Sequence, residues 1–301
     1  MRIADTVIEN TFAEAFGMVA CRVIVTANDA YWAMTAATVA TGYACSVIGC
    51  DCEAGIEQEL DASDTPDGRP GFSLLFFGFN REALEKGVVN RVGQCVMTCP
   101  TTACFNGLPV GEKWIEIGAQ LRYFGDGHQI SKFLDERRYW RIPVMDGEFF
   151  CEESFGVQKG VAGGNFLILA KDVAAGLAAA RAAVNAIQKV PHVITPFPGG
   201  VVRAGSKVGS KYKKLRGSTN DSYCPTLRGA VNSQLPADVG AVYEIVIDGL
   251  TRADVENAMR AGILAACQPD IVKITAGNYG GSLGPHHLHL HEILQVKTFG
   301  G

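Results

Sequence analysis

Apolar residues in the first half of the chain form two patterns, short β-branched runs typical of strands and longer stretches with helical spacing. Residues 21–27 (CRVIVTA) are such a run, and residues 31–40 follow with the spacing of a helix. Asn80 precedes an amphipathic segment and is expected to cap its helix. The predicted elements are strand 21–27, helix 31–40, strands 45–50 and 72–79, a helix that buries Leu84, Val88 and Val92, and a strand at 121–124.

The second half repeats that order of elements. Asp172 and Thr251 each precede an amphipathic segment, and each is expected to cap a helix. The predicted elements are strand 165–170, a helix that buries Leu177, Val184 and Ile187, a broken extended segment 193–202, strand 242–247, a helix that buries Val255, Met259 and Ile263, and strand 272–276. Both halves read β-α-β-β-α-β, which predicts an α+β fold of two ferredoxin-like (βαββαβ) lobes from an internal duplication.

An inserted β-hairpin is predicted between the two halves. Residues 138–152 contain two alternating runs on either side of Asp146–Gly147, a pair typical of tight turns. We expect the boundary near this hairpin, with an N-terminal lobe at 1–145, a C-terminal lobe at 146–298 and a tail at 299–301. Two sheets with helices on one face leave their other faces to be covered, so an oligomer is expected.

Composition narrows the class of protein. The 301 residues are 48% hydrophobic and 19% charged, which excludes a disordered chain. A net charge of −4 argues against nucleic-acid binding. The uncharged stretch 30–50 is long enough to cross a bilayer, but its threonines and glycines favour a soluble core element. The first ten residues contain Asp5 and Glu9 and no apolar core of a signal peptide, so a cytoplasmic protein is expected.

Cysteine and histidine patterns do not favour a metal site. The ten cysteines lack the paired C-x2-C spacing of zinc sites, and in a large chain without a signal they are expected to be reduced thiols. His287, His289 and His291 share one face if they lie on a strand. Only Glu292 accompanies them at a ligand-like spacing, so a surface or interface strand is favoured over a catalytic metal.

Glu244 is the most informative single residue. It stands within VYEIVI, a run expected to form a central strand, where loss of hydration favours the neutral form of a carboxyl group. A protonated carboxylic acid can donate a hydrogen bond to a developing oxyanion. The alternatives from the residues alone are a glutamate at a strand end and a glutamate paired with a lysine or arginine.

A basic, glycine-rich segment follows PFPGG. The loop 205–212 (GSKVGSKY) resembles a phosphate cradle, but Ser206 stands where a Walker A loop needs lysine. The densest positive cluster of the chain suits a polyanionic small ligand, and a solvated surface loop is the alternative. Its members are Lys207, Lys211, Lys213, Lys214 and Arg216.

Ten segments together resemble one family. They occur in the order TFAEAF, DTPDGRPG, GQCVMT-x-PT, FGDG, GVAGGNF, PFPGG, GSKVGSKY, STNDSYCP, VYEIVI and AGNYGG, between residues 11 and 294. The chain closely resembles formylmethanofuran:tetrahydromethanopterin N-formyltransferases. The resemblance implies reversible transfer of a formyl group between methanofuran and N5 of tetrahydromethanopterin or its bacterial relative. Both coenzymes are cosubstrates, and no metal or prosthetic group is implied.

The resemblance also implies a site and partners. The key glutamate of the family falls on Glu244, and a ternary complex without a covalent intermediate is expected. The residues expected to bind substrate are Phe197, Gly199, Gly200, Ser206, Lys207, Ser210, Lys211, Tyr212 and Asn278. A homo-oligomer, expected to be a dimer of dimers, is implied, and formylmethanofuran hydrolase subunits are further candidate partners. The alternative is a non-catalytic ligand-binding or scaffold subunit of a formyltransferase/hydrolase complex.

Overall fold

The computed structural model describes residues 1–109 and 113–295, so the predicted tail at 299–301 lies outside the described residues. Contacts divide the chain into two compact units. The central unit is Met18–Gly160, and the C-terminal unit combines Met1–Gly17 with Val161–Gly301. This division differs from the predicted lobes 1–145 and 146–298, because the N-terminal strands pair with the C-terminal part of the chain and the hairpin pairs with the central part.

The described residues form the following elements. The strands are β1 (Arg2–Ile3), β2 (Thr6–Ile8), β3 (Phe12–Thr26), β4 (Glu53–Leu60), β5 (Gly71–Gly78), β6 (Ala103–Asn106), β7 (Trp114–Glu116), β8 (Ile130–Leu134), β9 (Arg137–Val144), β10 (Gly147–Glu152), β11 (Ser154–Gly156), β12 (Gln158–Ala170), β13 (Val193–Ile194), β14 (Ser206–Val208), β15 (Gly217–Thr219), β16 (Ala241–Gly249), β17 (Ile271–Thr275) and β18 (His286–His289). The helices are α1 (Ala30–Thr41), α2 (Arg81–Arg91), α3 (Gly118–Leu121), α4 (Val173–Ile187), α5 (Arg252–Ala266) and α6 (Leu290–Gln295). The fold is therefore mixed α and β, with a large mixed sheet.

The central unit is built on the strand order β4-β5-β3-β6, in which all neighbours are antiparallel. Strand β10 extends this sheet parallel to β6 and carries β9 and β8 beyond it. The predicted hairpin is confirmed, because β9 and β10 pair with each other and are joined by the turn that precedes Gly147. Asn80 caps α2 by accepting a hydrogen bond from the Ala83 amide at 2.8 Å, as predicted.

Two strands predicted in the central unit are wrong. Residues 45–50 form turns, with the Cys50 amide bonded to the Ser46 carbonyl at 2.8 Å, and the strand is β4, a few residues later. Residues 121–124 lie in a helical turn, and the short buried strand β6 takes the predicted place in the sheet. In both cases a short apolar run lies in a turn that leaves large side chains exposed, Ile48 at 74% and Tyr123 at 68%. Periodicity alone does not distinguish so short a run from a strand.

The C-terminal unit has the strand order β17-β12-β16-β13, again with antiparallel neighbours, and β2 pairs with β17 at one edge. Helices α4 and α5 begin at the predicted caps Asp172 and Thr251. They bury a core against the sheet that includes Phe166, Ile245 and Met259. Leu177, predicted to face this core, is 39% exposed, whereas Val184 and Ile187 are buried as expected.

Gly262 lets helix α5 approach its neighbours closely. A Cβ at this position would lie 2.8 Å from the Ile187 Cδ1 atom and 2.9 Å from the Phe166 ring. Across the described residues, no helix is long and apolar enough to cross a membrane. All ten cysteines carry free thiols.

Candidate active site

Glu244 lies in the interior of β16. Its main chain pairs with Leu167 of β12 on one side. On the other side it exchanges hydrogen bonds with Val202, at 2.8 Å and 3.1 Å, in an isolated bridge. Alternation along the strand directs Ile245 and Ile247 into the helix-covered core and Glu244 to the opposite face of the sheet. The position therefore excludes the strand-end alternative.

Burial controls the charge of this carboxyl group. Desolvation by the surrounding protein raises the pKa of Glu244 from an ordinary value of 4.5 to about 7. Within residues 1–109 and 113–295, the Glu244 side chain forms no ion pair with a lysine or arginine. The structure therefore excludes a salt-bridged Glu244 in the described part of the chain, and much of the group is neutral at pH 7.

Two neighbouring cavities in the C-terminal unit open onto Glu244. The larger has a volume of about 310 Å³ and contains Glu244 in its wall together with Ser206, Lys207 and Asn278. The smaller, about 50 Å³, is lined by Glu244, Arg203 and Gly205 among others. Asn220 and Tyr223 line both cavities, so they lie beside Glu244 at the place where the cavities meet.

Gly205 fits closely against the acid. A Cβ at this position would lie 3.1 Å from the Glu244 Oε2 atom and 3.9 Å from the Cβ of Asn220. The Gly205 carbonyl also accepts a hydrogen bond from the Asn220 amide at 2.9 Å. The absence of a side chain at Gly205 therefore leaves the space that the Glu244 carboxyl group occupies.

The segment after β17 forms another wall of the larger cavity. Asn278 donates hydrogen bonds to the Thr11 Oγ1 atom at 3.1 Å and to the Phe12 carbonyl at 3.2 Å. Tyr279 lines the same cavity, and burial together with the nearby carboxyl groups of Glu244 and Glu14 raises its pKa. Tyr279 could not be singled out from the sequence, because a tyrosine in a glycine-rich loop is common on protein surfaces.

The basic segment forms the two-stranded hairpin of β14 and β15. Lys207 pairs with Asp221, which lowers the pKa of that aspartate. A cavity of about 530 Å³ at this hairpin is lined by Lys207, Ser210, Lys211 and Tyr212. Lys207 lies in the wall of this cavity and of the larger Glu244 cavity, so it links the predicted basic surface to the acid.

The other predicted site residues lie elsewhere. Phe197, Gly199 and Gly200 belong to a 3₁₀ turn that lines none of the three cavities described above. Gly200 is buried with φ +75°, and a Cβ there would lie 2.7 Å from the Thr195 Oγ1 atom, so its small size serves packing. Their roles in substrate binding stay predictions.

The predicted histidine strand is only partly correct. His287 and His289 lie on β18, which pairs with the start of β3, whereas His291 lies in α6. Both strand imidazoles pack near the Phe12 ring, with centroids 4.8 Å and 5.2 Å away. In the described parts of the chain, no three His, Cys, Asp or Glu side chains are grouped to hold a metal ion.

A half-neutral carboxyl group in an open cavity flanked by lysine is typical of an enzyme that stabilises developing negative charge. Known families match the chain over most of its length. The family model described as "Formylmethanofuran-tetrahydromethanopterin formyltransferase" matches residues 1–144, and the one described as "FTR, proximal lobe" matches residues 147–293. The two matched ranges meet at the hairpin turn.

Individual relatives agree with the family models. The formylmethanofuran–tetrahydromethanopterin formyltransferase of Methylococcus capsulatus is 58% identical over 291 residues, which cover 95% of this chain and 97% of that protein. The solved formylmethanofuran:tetrahydromethanopterin formyltransferase of Methanosarcina barkeri has a TM-score of 0.93 at 48% identity, with 97% and 100% coverage. A chain of the formyltransferase/hydrolase complex of Methylorubrum extorquens, solved with methylofuran, has a TM-score of 0.93 at 52% identity, with 96% coverage of both. The chain therefore belongs to the formylmethanofuran–tetrahydromethanopterin formyltransferase family and is an enzyme of formyl transfer in one-carbon metabolism.

Proposed function

We propose that this enzyme transfers a formyl group reversibly between the amine of methanofuran and N5 of tetrahydromethanopterin, or of close variants of these coenzymes. The family and the names of its relatives support this pair of substrates. The observation that carries the proposed site is the raised pKa of Glu244 in the wall of an open cavity. Direct assay of the chain with both coenzymes tests the proposal, and absence of transfer contradicts it.

Glu244 is the proposed acid of the reaction. A formamide is a weak electrophile, so the main barrier is the charge that develops on its oxygen as N5 attacks the carbonyl carbon. The N5 lone pair forms the new C–N bond while the carbonyl π pair moves to oxygen, and neutral Glu244 donates a hydrogen bond to that oxygen. Collapse of the tetrahedral intermediate breaks the bond to the methanofuran nitrogen. The proton that N5 loses balances the proton that the departing amine gains.

The remaining rate enhancement comes from holding both coenzymes in one complex. A bimolecular encounter then becomes effectively unimolecular, and no covalent enzyme intermediate is required. Initial-rate plots against one coenzyme at several fixed concentrations of the other should give intersecting lines. Parallel lines, the pattern of a ping-pong reaction, contradict this part of the proposal.

The basic hairpin is proposed to bind an anionic part of a substrate. Lys211 is exposed beside the 530 Å³ cavity, and Lys207 connects that cavity to Glu244. Lys211→Ala should raise KM for a polyglutamylated or phosphorylated coenzyme and leave kcat unchanged, because Lys211 lines the hairpin cavity and not the cavities that contain Glu244. Lys86→Ala, an exposed lysine on α2 of the central unit, is the matched control. An unchanged KM in the Lys211 variant would show that this part of the hairpin does not bind the anionic part of the substrate.

A role as a subunit of a larger assembly is proposed beside catalysis, because a relative is a chain of a formyltransferase/hydrolase complex. Hydrolase subunits are accordingly proposed as partners. The chain is also proposed to associate with itself into a homo-oligomer and to act in the cytoplasm. Formyl transfer by the isolated chain supports catalysis over a scaffold role. Native mass spectrometry of the purified chain tests the homo-oligomer, and a monomer contradicts it.

The two units are further proposed to be ferredoxin-like lobes from an internal duplication. Each contains a core of two helices and four antiparallel strands in βαββαβ order, with the third strand of that order beside the first. Separate expression of the two units would test whether each folds on its own, as a duplicated lobe should.

A further inference from the structure

A buried carboxylate at the start of β3 holds the loop that follows the AGN segment. Glu14 is 1% exposed. Its Oε2 atom accepts hydrogen bonds from the main-chain amides of Tyr279 at 2.7 Å and Gly281 at 3.1 Å. Its Oε1 atom accepts from the amide of Gly284 at 2.6 Å and from that of Leu283. One side chain therefore satisfies four amides in a single loop.

The backbone of the loop directs its amides towards this acceptor. Gly280 and Gly281 have φ angles of +72° and +75°, and the resulting turn directs successive amides towards one point. Across the described residues, Glu14 has no lysine or arginine partner. Burial alone raises the pKa of Glu14, but the four amides outweigh it and hold the pKa below its ordinary value. The ionised Glu14 carboxylate therefore accepts these hydrogen bonds more strongly than a neutral carboxyl group or amide would.

The same loop forms part of the Glu244 cavity. Asn278 and Tyr279 line it at the point where the loop begins. Asn278 is hydrogen-bonded to Thr11 and Phe12, which lie three and two residues before Glu14. One short stretch of chain that contains Thr11, Phe12 and Glu14 therefore holds the start of the loop. The Tyr279 amide is itself one of the four donors to Glu14.

We propose that Glu14 is a positioning residue for formyl transfer, which sets the place of Asn278 and Tyr279 in the wall of the Glu244 cavity by binding the amides of the 279–284 loop. The inference rests on the proposed role of that cavity. It assigns no contact between Glu14 and substrate, because Glu14 is buried and both of its carboxylate oxygens are hydrogen-bonded to loop amides. Its effect on catalysis passes through the loop alone.

Glu14→Gln tests the proposal in the full-length enzyme, because it keeps the size of the side chain and turns one acceptor oxygen into a donor NH₂. Native-state hydrogen exchange of the 278–284 peptide should speed up by about 10–100-fold. The kcat/KM for formyl transfer should fall by about 10²-fold, as expected for a small displacement of binding groups. Glu152→Gln is the control, since Glu152 is 2% exposed in the central unit and accepts the Asn106 amide at 3.0 Å. It should leave both quantities near those of the wild type.

The two readouts separate the possible failures. Unchanged exchange of the 278–284 peptide overturns the proposed hold on the loop, whatever the activity. Faster exchange with unchanged kcat/KM overturns the positioning role and leaves the proposed function intact. If Glu14→Gln does not fold, Glu14→Asp applies the same test, because it keeps the charge and withdraws it from the amides by one methylene group. Faster exchange in Glu14→Asp together with reduced kcat/KM supports the proposal.

Discussion

Replacing Glu244 with glutamine should make the protein more stable at pH 8, although the change removes the proposed acid of the site. The glutamine side chain has the same shape and does not ionise. At pH 8, wild-type Glu244 either keeps a proton, which the unfolded chain would release, or carries a charge in a desolvated cavity wall. Each state costs free energy relative to the hydrated carboxylate of the unfolded chain. The gain in stability therefore reports the environment of this one carboxyl group.

The size of the effect follows from the pKa of Glu244. Between pH 4.5 and about pH 7, Glu244 of the folded protein keeps a proton that it has lost in the unfolded chain. The folded state therefore binds more protons than the unfolded state in this window. The free energy of unfolding then falls as pH rises through this window, and it levels off above pH 7. The total loss is at most about 3 kcal/mol, since each pKa unit corresponds to about 1.4 kcal/mol.

Urea unfolding of the two proteins at pH 5 and pH 8, at equal protein concentration, measures the difference. Glu244→Gln should gain up to about 3 kcal/mol over the wild type at pH 8, and much less at pH 5. Glu59→Gln, which removes an exposed carboxylate on β4, is the matched control and should show no such trend. A Glu244→Gln advantage in stability that is the same at both pH values would show that the folded protein does not raise the pKa of Glu244.

Three further outcomes are expected. Glu244→Ala should lower kcat by about 10²–10³-fold through loss of the donor, whereas Glu244→Gln keeps an N–H donor and should lose less; equal losses in steady-state assays count against the donor role. The kcat/KM of the wild type should fall as pH rises through about 7, where Glu244 loses its proton, and this limb should be absent from the Glu244→Gln profile. Gly205→Ala places a methyl group 3.1 Å from the Glu244 Oε2 atom and should lower kcat, while Gly229→Ala, where the methyl group meets nothing within 4 Å, should not; equal activities would show that the carboxyl group moves aside freely.

The fold could be predicted wherever caps and long periodic segments coincide. Asn80, Asp172 and Thr251 each begin a helix in the structure, because an unsatisfied first-turn amide needs a side-chain acceptor whatever the tertiary context. Short apolar runs at residues 45–50 and 121–124 were wrongly predicted as strands, since runs this short have too little periodicity to distinguish a strand from a turn. The N-terminal strands join the C-terminal unit through non-local pairing, which no local pattern records.

The site was predictable to a different degree for each residue. Glu244 was identifiable because a carboxyl group within an apolar strand is a local anomaly, and its surroundings raise its pKa as expected. Lys207 and Asn278 lie in the wall of the same cavity, although their contacts depend on loops distant in sequence. Glu14 gave no such signal, because its four partners lie more than 260 residues away. Only the folded arrangement brings them together.

The protonation state of Glu244 in the working enzyme decides whether this residue can act as the proposed acid. Carboxyl ¹³C resonances of glutamate-labelled protein, with Glu244→Gln to assign the signal, can be followed as pH is varied with and without bound pterin. We expect the Glu244 carboxyl group to release its proton near pH 7 in the free enzyme and at higher pH once the pterin excludes water from it. A signal that shows the ionised form throughout the active pH range, with pterin bound, would contradict it.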